Sequence, residues 1–342
     1  MLEINEQEAL ALPVDALALF EAFALAHRHE QVDPLSAQSA RGYLTIWRRW
    51  LSFLAGRNVS WLVARDMDVA AFCNSGLSPR KHSAESRVSA VSRRRYWRVL
   101  QRVYSHGVTS GVVALSPFLA MGLGQQPVNV AQNGTVLPMN VWQALPRFFV
   151  DQEQRPEVQV RNSAILWLLY ACGLAPQEVR DLQLQHLVFS GSKSTSRPVG
   201  LRIEGPRALQ HRVVELDDQV SQALAHWLVV RQGDHPYLAV LPWVFYTRKG
   251  APLSGPVLFR LACAAINRTG AAVGIEIPRR LGPQILRNSL IRNWLNDGVD
   301  PSVVAIRMGL KDVKSLARLG DVVNPEVRIP RRRPPTEAIH QT

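Results

Sequence analysis

The stretch that decides the fold runs over residues 280–320 and reads RLGPQILRNSLIRNWLNDGVDPSVVAIRMGLKDVKSLARLG. It opens with QILRN at 284–288, and apolar residues at helical spacing follow through Leu295. An Asn-Asp-Gly turn at 296–298 ends this helix. Residues 299–308 predict a second short helix, which ends at Gly309. The stretch therefore predicts two helices joined by a turn, with Arg287 near the start of the first.

This layout resembles the C-terminal box of the tyrosine recombinases, the phage integrase family. In that family the box is roughly HxLRH, a helix, a turn, LGH, and a tyrosine nine residues further on. The layout is kept here, but most of the chemical groups are not. The family positions in this box fall on Gln284, Arg287, Asn288, Leu310 and Leu319.

The resemblance implies a reaction in which a tyrosine attacks a DNA phosphate, which needs a nucleophile, cationic donors and a general acid. The family's first arginine falls on Ala175, and its hairpin lysine falls near Arg207, a poor proton donor. No tyrosine follows Tyr246 in the sequence. We therefore expect no catalytic residues and no enzyme activity. The alternative is an active recombinase with a rearranged site, in which Ser315 would be a substitute nucleophile.

Two segments upstream carry the rest of the resemblance. Residues 161–187, RNSAILWLLYACGLAPQEVRDLQLQHL, resemble the family's first box, a buried helix followed by a tight turn. Residues 199–216 alternate apolar and polar side chains, which predicts a β-hairpin. The predicted fold class is mainly α with a small β-sheet (α+β).

The N-terminal part predicts helices over 14–29, 36–55 and 88–106, and it resembles the family's helical core-binding domain. In the third helix, Val91, Tyr96, Leu100, Val103 and Tyr104 form the predicted apolar stripe. We predict an N-terminal DNA-binding domain at 1–125 and a linker at 126–136. A recombinase-like domain follows at 137–322, and a basic tail, expected to be disordered, at 323–342.

The charge of the chain favours a polyanionic partner. Its 342 residues carry a formal net charge of +13, and neutralising phosphates releases counterions. The 88–106 helix and its flank hold arginines with no acidic residue between them, although a solvated charged face is the alternative. The predicted DNA-contacting residues are Arg41, Arg48, Arg87, Arg93, Arg94, Arg95, Arg98, Arg102, Arg207, His211, Arg212 and Arg287. For Arg287, a structural role at the start of the helix is weighed equally with a phosphate contact.

Other classes of protein are disfavoured. No apolar run is long enough to span a membrane, and the acidic N-terminus is no signal peptide. The three cysteines, Cys73, Cys172 and Cys263, form no CxxC or metal-ligand cluster, which predicts reduced core residues. We expect no metal, no cofactor and a cytoplasmic location, on a bacterial nucleoid or a mobile element.

The sequence thus predicts a double-stranded-DNA-binding protein with a tyrosine recombinase fold that has lost strand cleavage. Its two domains would clamp the duplex as a C shape. We expect a monomer in solution, with a dimer on DNA as the alternative on paired sites. It would be an accessory or regulatory factor in recombination of a mobile element, such as cointegrate resolution or excision, with an active tyrosine recombinase as partner. A transcription, replication or partition regulator, a dedicated inhibitor and a helical interaction scaffold are the alternatives.

Overall fold

The computed structural model describes residues 12–29, 34–74, 88–119, 134–150, 155–190, 197–205, 211–233, 236–247, 249–278 and 281–329. The chain divides into two units, Met1–Ala131 and Gln132–Thr342. Most of the predicted linker and of the basic tail lie outside the described residues. The predicted domain bounds therefore stay predictions.

Amphipathic helices build the first unit: α1 (Val14–Ala26), α2 (Ala37–Ala55), α3 (Asp66–Asn74) and α4 (Ala90–Thr109). Their shared core is aromatic, and Trp47, Trp50 and Tyr104 are fully buried. The Trp50 indole donates to the Tyr104 hydroxyl at 3.0 Å, and that hydroxyl donates to the Trp61 carbonyl at 2.7 Å. Because buried polar atoms need partners, this chain of bonds fixes how α2 and α4 pack.

The α4 helix departs from its predicted bounds and stripe. It continues past Gly107 to Thr109, whereas the sequence predicted an end at 106. Gly107 serves packing instead, because a Cβ there would lie 2.8 Å from a Val113 methyl group. Val91, predicted in the apolar stripe, is 41% exposed. The helix begins where Ser89 accepts a hydrogen bond from the backbone N–H of Ser92, a helix N-cap.

The second unit is mainly helical around a small sheet. Its helices are α5 (Met139–Ala144), α6 (Pro156–Tyr170), α7 (Pro176–Asp181), α8 (Asp218–Gln232), α9 (Pro236–Ala239), α10 (Gly255–Val273), α11 (Pro283–Asn296) and α12 (Pro301–Arg307). A 3-10 segment, Val313–Val322, follows α12. The predicted fold class is confirmed.

The sheet is antiparallel in the order β1 (Leu187–Phe189), β2 (Pro198–Ile203) and β3 (Arg212–Glu215). Strands β2 and β3 pair in the predicted hairpin, with Leu201 opposite Val214 and Ile203 opposite Arg212. The sequence missed β1, since three residues are too few to show alternation. This register places Arg212 at the start of β3, and α12 contacts that strand.

Helix α11 runs through the core of the second unit. The sequence predicted an amphipathic helix, but consecutive residues from Ile285 to Ile291 are buried, including Arg287, Asn288 and Ser289. Each of these polar side chains has hydrogen-bond partners, as burial requires. The helix thus places polar side chains in the interior of the unit, and the candidate site lies around these side chains.

Candidate functional site

Arg287 is the best-connected side chain of α11. It is only 7% exposed, and its two terminal nitrogens donate to the backbone carbonyls of Gly173 and Met308. Gly173 ends the turn after α6, and Met308 follows α12. One guanidinium therefore ties three separate segments of the second unit together.

A second arginine and a carboxylate complete the cluster. Arg212 on β3 makes two hydrogen bonds to the Glu178 carboxylate, at 2.7 and 3.0 Å, and its Nε donates to the Arg307 carbonyl at 2.8 Å. Glu178 Oε2 also lies 3.8 Å from a terminal nitrogen of Arg287 and accepts from the backbone N–H of Ala175 at 2.7 Å. We refer to Glu178, Arg212 and Arg287 as the Glu178 cluster.

Two glycines with left-handed backbone conformation allow side chains to pack closely at the Glu178 cluster. Gly173 has φ of 58°, and a Cβ there would lie 2.7 Å from the Met308 methyl group. Gly309 also has φ of 58°, and its Cβ would lie 2.6 Å from Arg212. Both conformations are unfavourable for residues that carry a Cβ. The cluster therefore depends on glycine at both turns.

The cluster holds more positive than negative charge. Burial lowers the pKa of Arg287 to about 10, Glu178 opposes that change, and the like charges of Arg212 and Arg318 add to it. Burial also lowers the pKa of Arg318. Two guanidinium groups thus lie at one carboxylate, and a third, that of Arg318, acts on Arg287. Arg287 stays protonated at neutral pH, but its environment disfavours the charge.

The side chain next to Arg287 is bound as well. Asn288 donates to the Thr135 carbonyl at 3.0 Å, and its oxygen accepts from Gln284 at 2.9 Å and from Arg318 at 3.2 Å. Asn288 is 5% exposed, whereas Gln284 lies at the surface. These bonds join the start of the second unit to α11 and to the 3-10 segment.

The positions expected for the family's last histidine and its tyrosine are apolar. Leu319 is fully buried, and Leu310 is half-buried against the same core. Leu319 packs so closely on Gly134 that a Cβ at Gly134 would lie 2.4 Å from the leucine methyl group. Ser315, the candidate substitute nucleophile, is half-buried, and its backbone N–H donates to the Asp312 carbonyl.

A cavity of about 220 Å³ opens beside Ala175, where the family's first arginine is expected. Its charged and titratable lining residues are Glu178, Asp181, His186, Arg202 and Glu204. Three carboxylates in this wall work against a phosphate. Arg180 does not take the place expected for that arginine, because its Nε donates to the Leu253 carbonyl at 2.7 Å.

Within the described residues, no three His, Cys, Asp or Glu side chains are placed to hold a metal ion. In the same ranges, no helix is long and apolar enough to cross a membrane. Cys73 and Cys172 are free thiols in the core, but Cys263 is only half-buried, contrary to the prediction of three core cysteines.

The family of the chain follows from its similarity to known proteins. The sequence profile of the phage integrase family matches residues 148–319, slightly more than half of the chain. The chain belongs to the phage integrase family. It is similar to tyrosine recombinase XerC of Pseudomonas fluorescens, with 29% identity over 155 residues, 45% of this chain and 46% of that protein. It is similar over more of its length to XerD of Ralstonia nicotianae, with 23% identity over 313 residues, 90% of this chain and 91% of that protein.

The first of these relatives is therefore matched over about half of its length. Among solved structures, the XerH site-specific recombinase bound to its palindromic difH substrate in a post-cleavage complex superposes with a TM-score of 0.64. It is 15% identical, and the match covers 91% of this chain and 82% of that chain. This likeness shows the phage integrase fold.

Within this family fold, the predicted DNA-contacting arginines of the first unit lie mostly at the surface of α2 and α4. Arg41, Arg48, Arg95 and Arg98 are exposed, and Arg93, Arg94 and Arg102 are partly exposed. Arg93 donates to Asn74 at 3.2 Å, and Arg102 lies 5.8 Å from the centre of the Phe23 ring. Arg87 and Arg207 lie outside the described residues.

The predicted residues of the second unit are not brought together on one surface. His211 is exposed and bonds to the Gly205 carbonyl at 2.9 Å, whereas the side chains of Arg212 and Arg287 are buried in the Glu178 cluster. Sequence reasoning did not single out Glu178. A signal for it existed, since a glutamate three residues after a helix start commonly caps that helix.

Proposed function

We propose that this phage integrase family member binds duplex DNA without cleaving it and serves recombination as an accessory or regulatory factor. One observation carries the proposal. The position expected for the nucleophile holds a fully buried leucine, Leu319, and the retained arginine of the box, Arg287, donates to two backbone carbonyls. Both groups support the core of the second unit.

Phosphate cleavage needs donors directed at the reacting oxygens and a nucleophile within reach of the phosphorus. The terminal nitrogens of Arg287 and the guanidinium of Arg212 already have partners inside the protein. Acidic side chains line the cavity beside Ala175, where a cation is needed. Several members of one catalytic unit are thus absent or occupied, so a single replacement residue would not restore the reaction.

Duplex binding is supported by the arginine face of α4. Arg94, Arg98 and Arg102 recur every four residues and so share one side of the helix, next to Arg95. On α2, Arg41 and Arg48 are seven residues apart and are both exposed. If these six arginines each neutralise one phosphate, the slope of log affinity against log salt is about −5.

Fluorescence anisotropy with labelled duplex DNA over a salt series tests this part of the proposal. We expect a steep slope for the wild-type protein, and a slope shallower by about one for Arg98→Gln. Arg260→Gln changes an exposed arginine on α10 and is the matched control. Affinity that is independent of salt, or equal losses in both variants, would exclude binding through this face.

A nicked suicide substrate tests the absence of cleavage. On such DNA a recombinase becomes trapped as a covalent adduct, which denaturing electrophoresis detects as a shifted band. We expect binding without any adduct. An adduct that is lost in Ser315→Ala would instead establish the rearranged active recombinase.

The accessory role is tested by adding this protein to an active tyrosine recombinase on a shared recombination site. We expect the yield or the direction of recombination to change, with a weaker effect for Arg98→Gln at equal protein concentration. Altered transcription from that DNA, with recombination unchanged, would favour a regulator of gene expression instead.

A further inference from the structure

Arg318 lies on the 3-10 segment Val313–Val322, one residue before the fully buried Leu319. Leu316 on the same segment is also fully buried, and the Arg318 carbonyl accepts from the backbone N–H of Gly134 at 2.6 Å. These contacts fix the backbone at Arg318. Its position in the fold therefore does not depend on what its guanidinium group binds.

The guanidinium of Arg318 is poorly satisfied inside the protein. Its side chain is half-buried, and one terminal nitrogen donates to Asn288 Oδ1 at 3.2 Å. In the part of the chain that the structure describes, this is the only hydrogen bond of the group, no carboxylate pairs with it, and its Nε is buried without an acceptor. A buried donor without an acceptor costs stability.

The electrostatic surroundings of Arg318 are unfavourable as well. Burial lowers the pKa of Arg318, and its charge in turn opposes the charge on Arg287. A partly desolvated cation without a counter-charge destabilises the free protein, and an approaching anion relieves that cost. The guanidinium thus suits a ligand better than it suits the core.

A second donor lies next to this guanidinium. The side-chain nitrogen of Gln284 donates to the same oxygen of Asn288, at 2.9 Å, so Gln284 and Arg318 are neighbours. Gln284 is exposed, and its amide nitrogen carries two N–H groups, of which this bond uses one. Arginine and glutamine side chains are both common donors to the phosphates of DNA.

We propose that Arg318 binds a backbone phosphate of duplex DNA, with Gln284 as a second donor. This inference rests on the duplex binding proposed above and gives the second unit a DNA contact of its own. A phosphate supplies both the acceptor and the negative charge that Arg318 lacks in the free protein. Because the contact is to the DNA backbone, it adds affinity for any duplex sequence.

Fluorescence anisotropy with labelled duplex DNA over a salt series tests the contact on the full-length protein. For Arg318→Gln we expect about tenfold weaker binding and a salt slope shallower by about one, with an unchanged or higher Tm. Arg318→Lys keeps the charge and is expected to keep the wild-type slope. Arg292→Gln makes the same change of net charge at another half-buried arginine of this unit, and it is expected to bind as the wild type does.

A second variant leaves Arg318 in place and gives it an internal partner. Gln284→Glu puts a carboxylate beside the guanidinium, which replaces the phosphate and repels DNA. We expect duplex binding at least tenfold weaker than that of the wild type. Duplex DNA should raise the Tm of the wild type, whereas inorganic phosphate at the same phosphate concentration should not. An equal rise with inorganic phosphate would show a site for free phosphate and overturn the proposal.

Other results would also overturn it. Arg318→Gln and Gln284→Glu both bind duplex DNA as the wild type does, or Arg292→Gln loses as much affinity as Arg318→Gln. A large fall in the Tm of Arg318→Gln would show a structural arginine instead. Absence of duplex binding by the wild type would refute this inference and the proposed function together. Weak binding by Arg98→Gln with normal binding by Arg318→Gln would remove the Arg318 contact alone.

Discussion

Replacing Arg287 by glutamine separates a structural arginine from a phosphate-binding one. In this structure Arg287 is buried and donates to the carbonyls of Gly173 and Met308. Its removal should therefore destabilise the second unit and leave the affinity for duplex DNA almost unchanged. The opposite pattern is expected of an arginine that binds DNA.

The magnitude follows from two opposing effects. Each buried carbonyl that loses its donor costs roughly 1–3 kcal/mol. Against this, the variant no longer buries a charge, and the fall of the Arg287 pKa to about 10 corresponds to roughly 3 kcal/mol. Glu178 keeps its two hydrogen bonds to Arg212, so no carboxylate is stranded. Two carbonyls together cost roughly 2–6 kcal/mol, so the net loss is about 1 kcal/mol at the middle of this range and at most about 3 kcal/mol, which lowers the Tm of a unit this size by roughly 2–10 °C.

Circular dichroism during heating measures the Tm, and fluorescence anisotropy on the same samples measures duplex affinity. Arg292→Gln is the matched control, since Arg292 lies on the same helix and, in the part of the chain that the structure describes, donates to the side chain of its neighbour Asn293. We expect the control to melt within about 2 °C of wild type, because substitutions outside such networks usually change stability by under about 0.5 kcal/mol.

A different outcome would refute this account of Arg287. Loss of a charge-assisted bond to a phosphate costs about 1.5–3 kcal/mol, which is about 10- to 100-fold in affinity. If Arg287→Gln melts like the wild type but binds duplex DNA tenfold more weakly, Arg287 is a phosphate anchor and the Glu178 cluster is not its main partner.

Three further predictions follow from the same region. Leu319→Tyr places a phenol in the fully packed space beside Gly134, so we expect the protein to lose about 1–3 kcal/mol of stability. We also expect no covalent adduct on a suicide substrate, and an adduct would show that the rest of a recombinase active site is intact. Arg318→Gln removes a like charge near Arg287 and a buried Nε that has no hydrogen-bond partner. The Tm of the DNA-free protein should therefore stay the same or rise, and a large fall in Tm would contradict the excess of positive charge. Burial raises the pKa of Cys172 to about 12 from its ordinary value of 9.0, so the stability that this thiol contributes is present below pH 9 and is lost as the pH rises from about 9 to about 12. Alkylation of Cys172 by iodoacetamide at pH 8 should therefore follow unfolding, and rapid labelling of the folded protein would contradict this burial.

The fold was predictable because apolar periodicity and two family boxes survive in the sequence. The face of α2 that packs on the core, including Trp47 and Trp50, follows directly from helical spacing. The β2–β3 hairpin follows from alternation. Two local predictions were wrong. Val91 is exposed and not part of the apolar stripe, and α4 continues through Gly107 because close packing against Val113 favours glycine within the helix.

The site was harder to predict because its partners are distant in sequence. The pairing of Arg212 with Glu178 joins residues 34 positions apart, and Arg287 reaches Gly173 across 114 positions. No periodic pattern reports contacts of that kind. The sequence favours neither of the two roles of Arg287, and the bonds of Arg287 to backbone carbonyls favour the structural one. For Arg212, the pairing with Glu178 bears against the predicted DNA contact, which stays a prediction.

The charge of the Glu178 cluster links these observations. A purely structural core would gain from matched charges, yet the like charges of both Arg212 and Arg318 disfavour the charge on Arg287, and only Glu178 favours it. Like charges held together in a protein interior cost stability unless something outside neutralises them. A bound DNA backbone would supply that neutralisation without entering the cluster, since its phosphates act at a distance through the poorly screened interior. The excess of positive charge agrees with the proposed duplex partner, while Arg287 itself is held by the carbonyls of Gly173 and Met308.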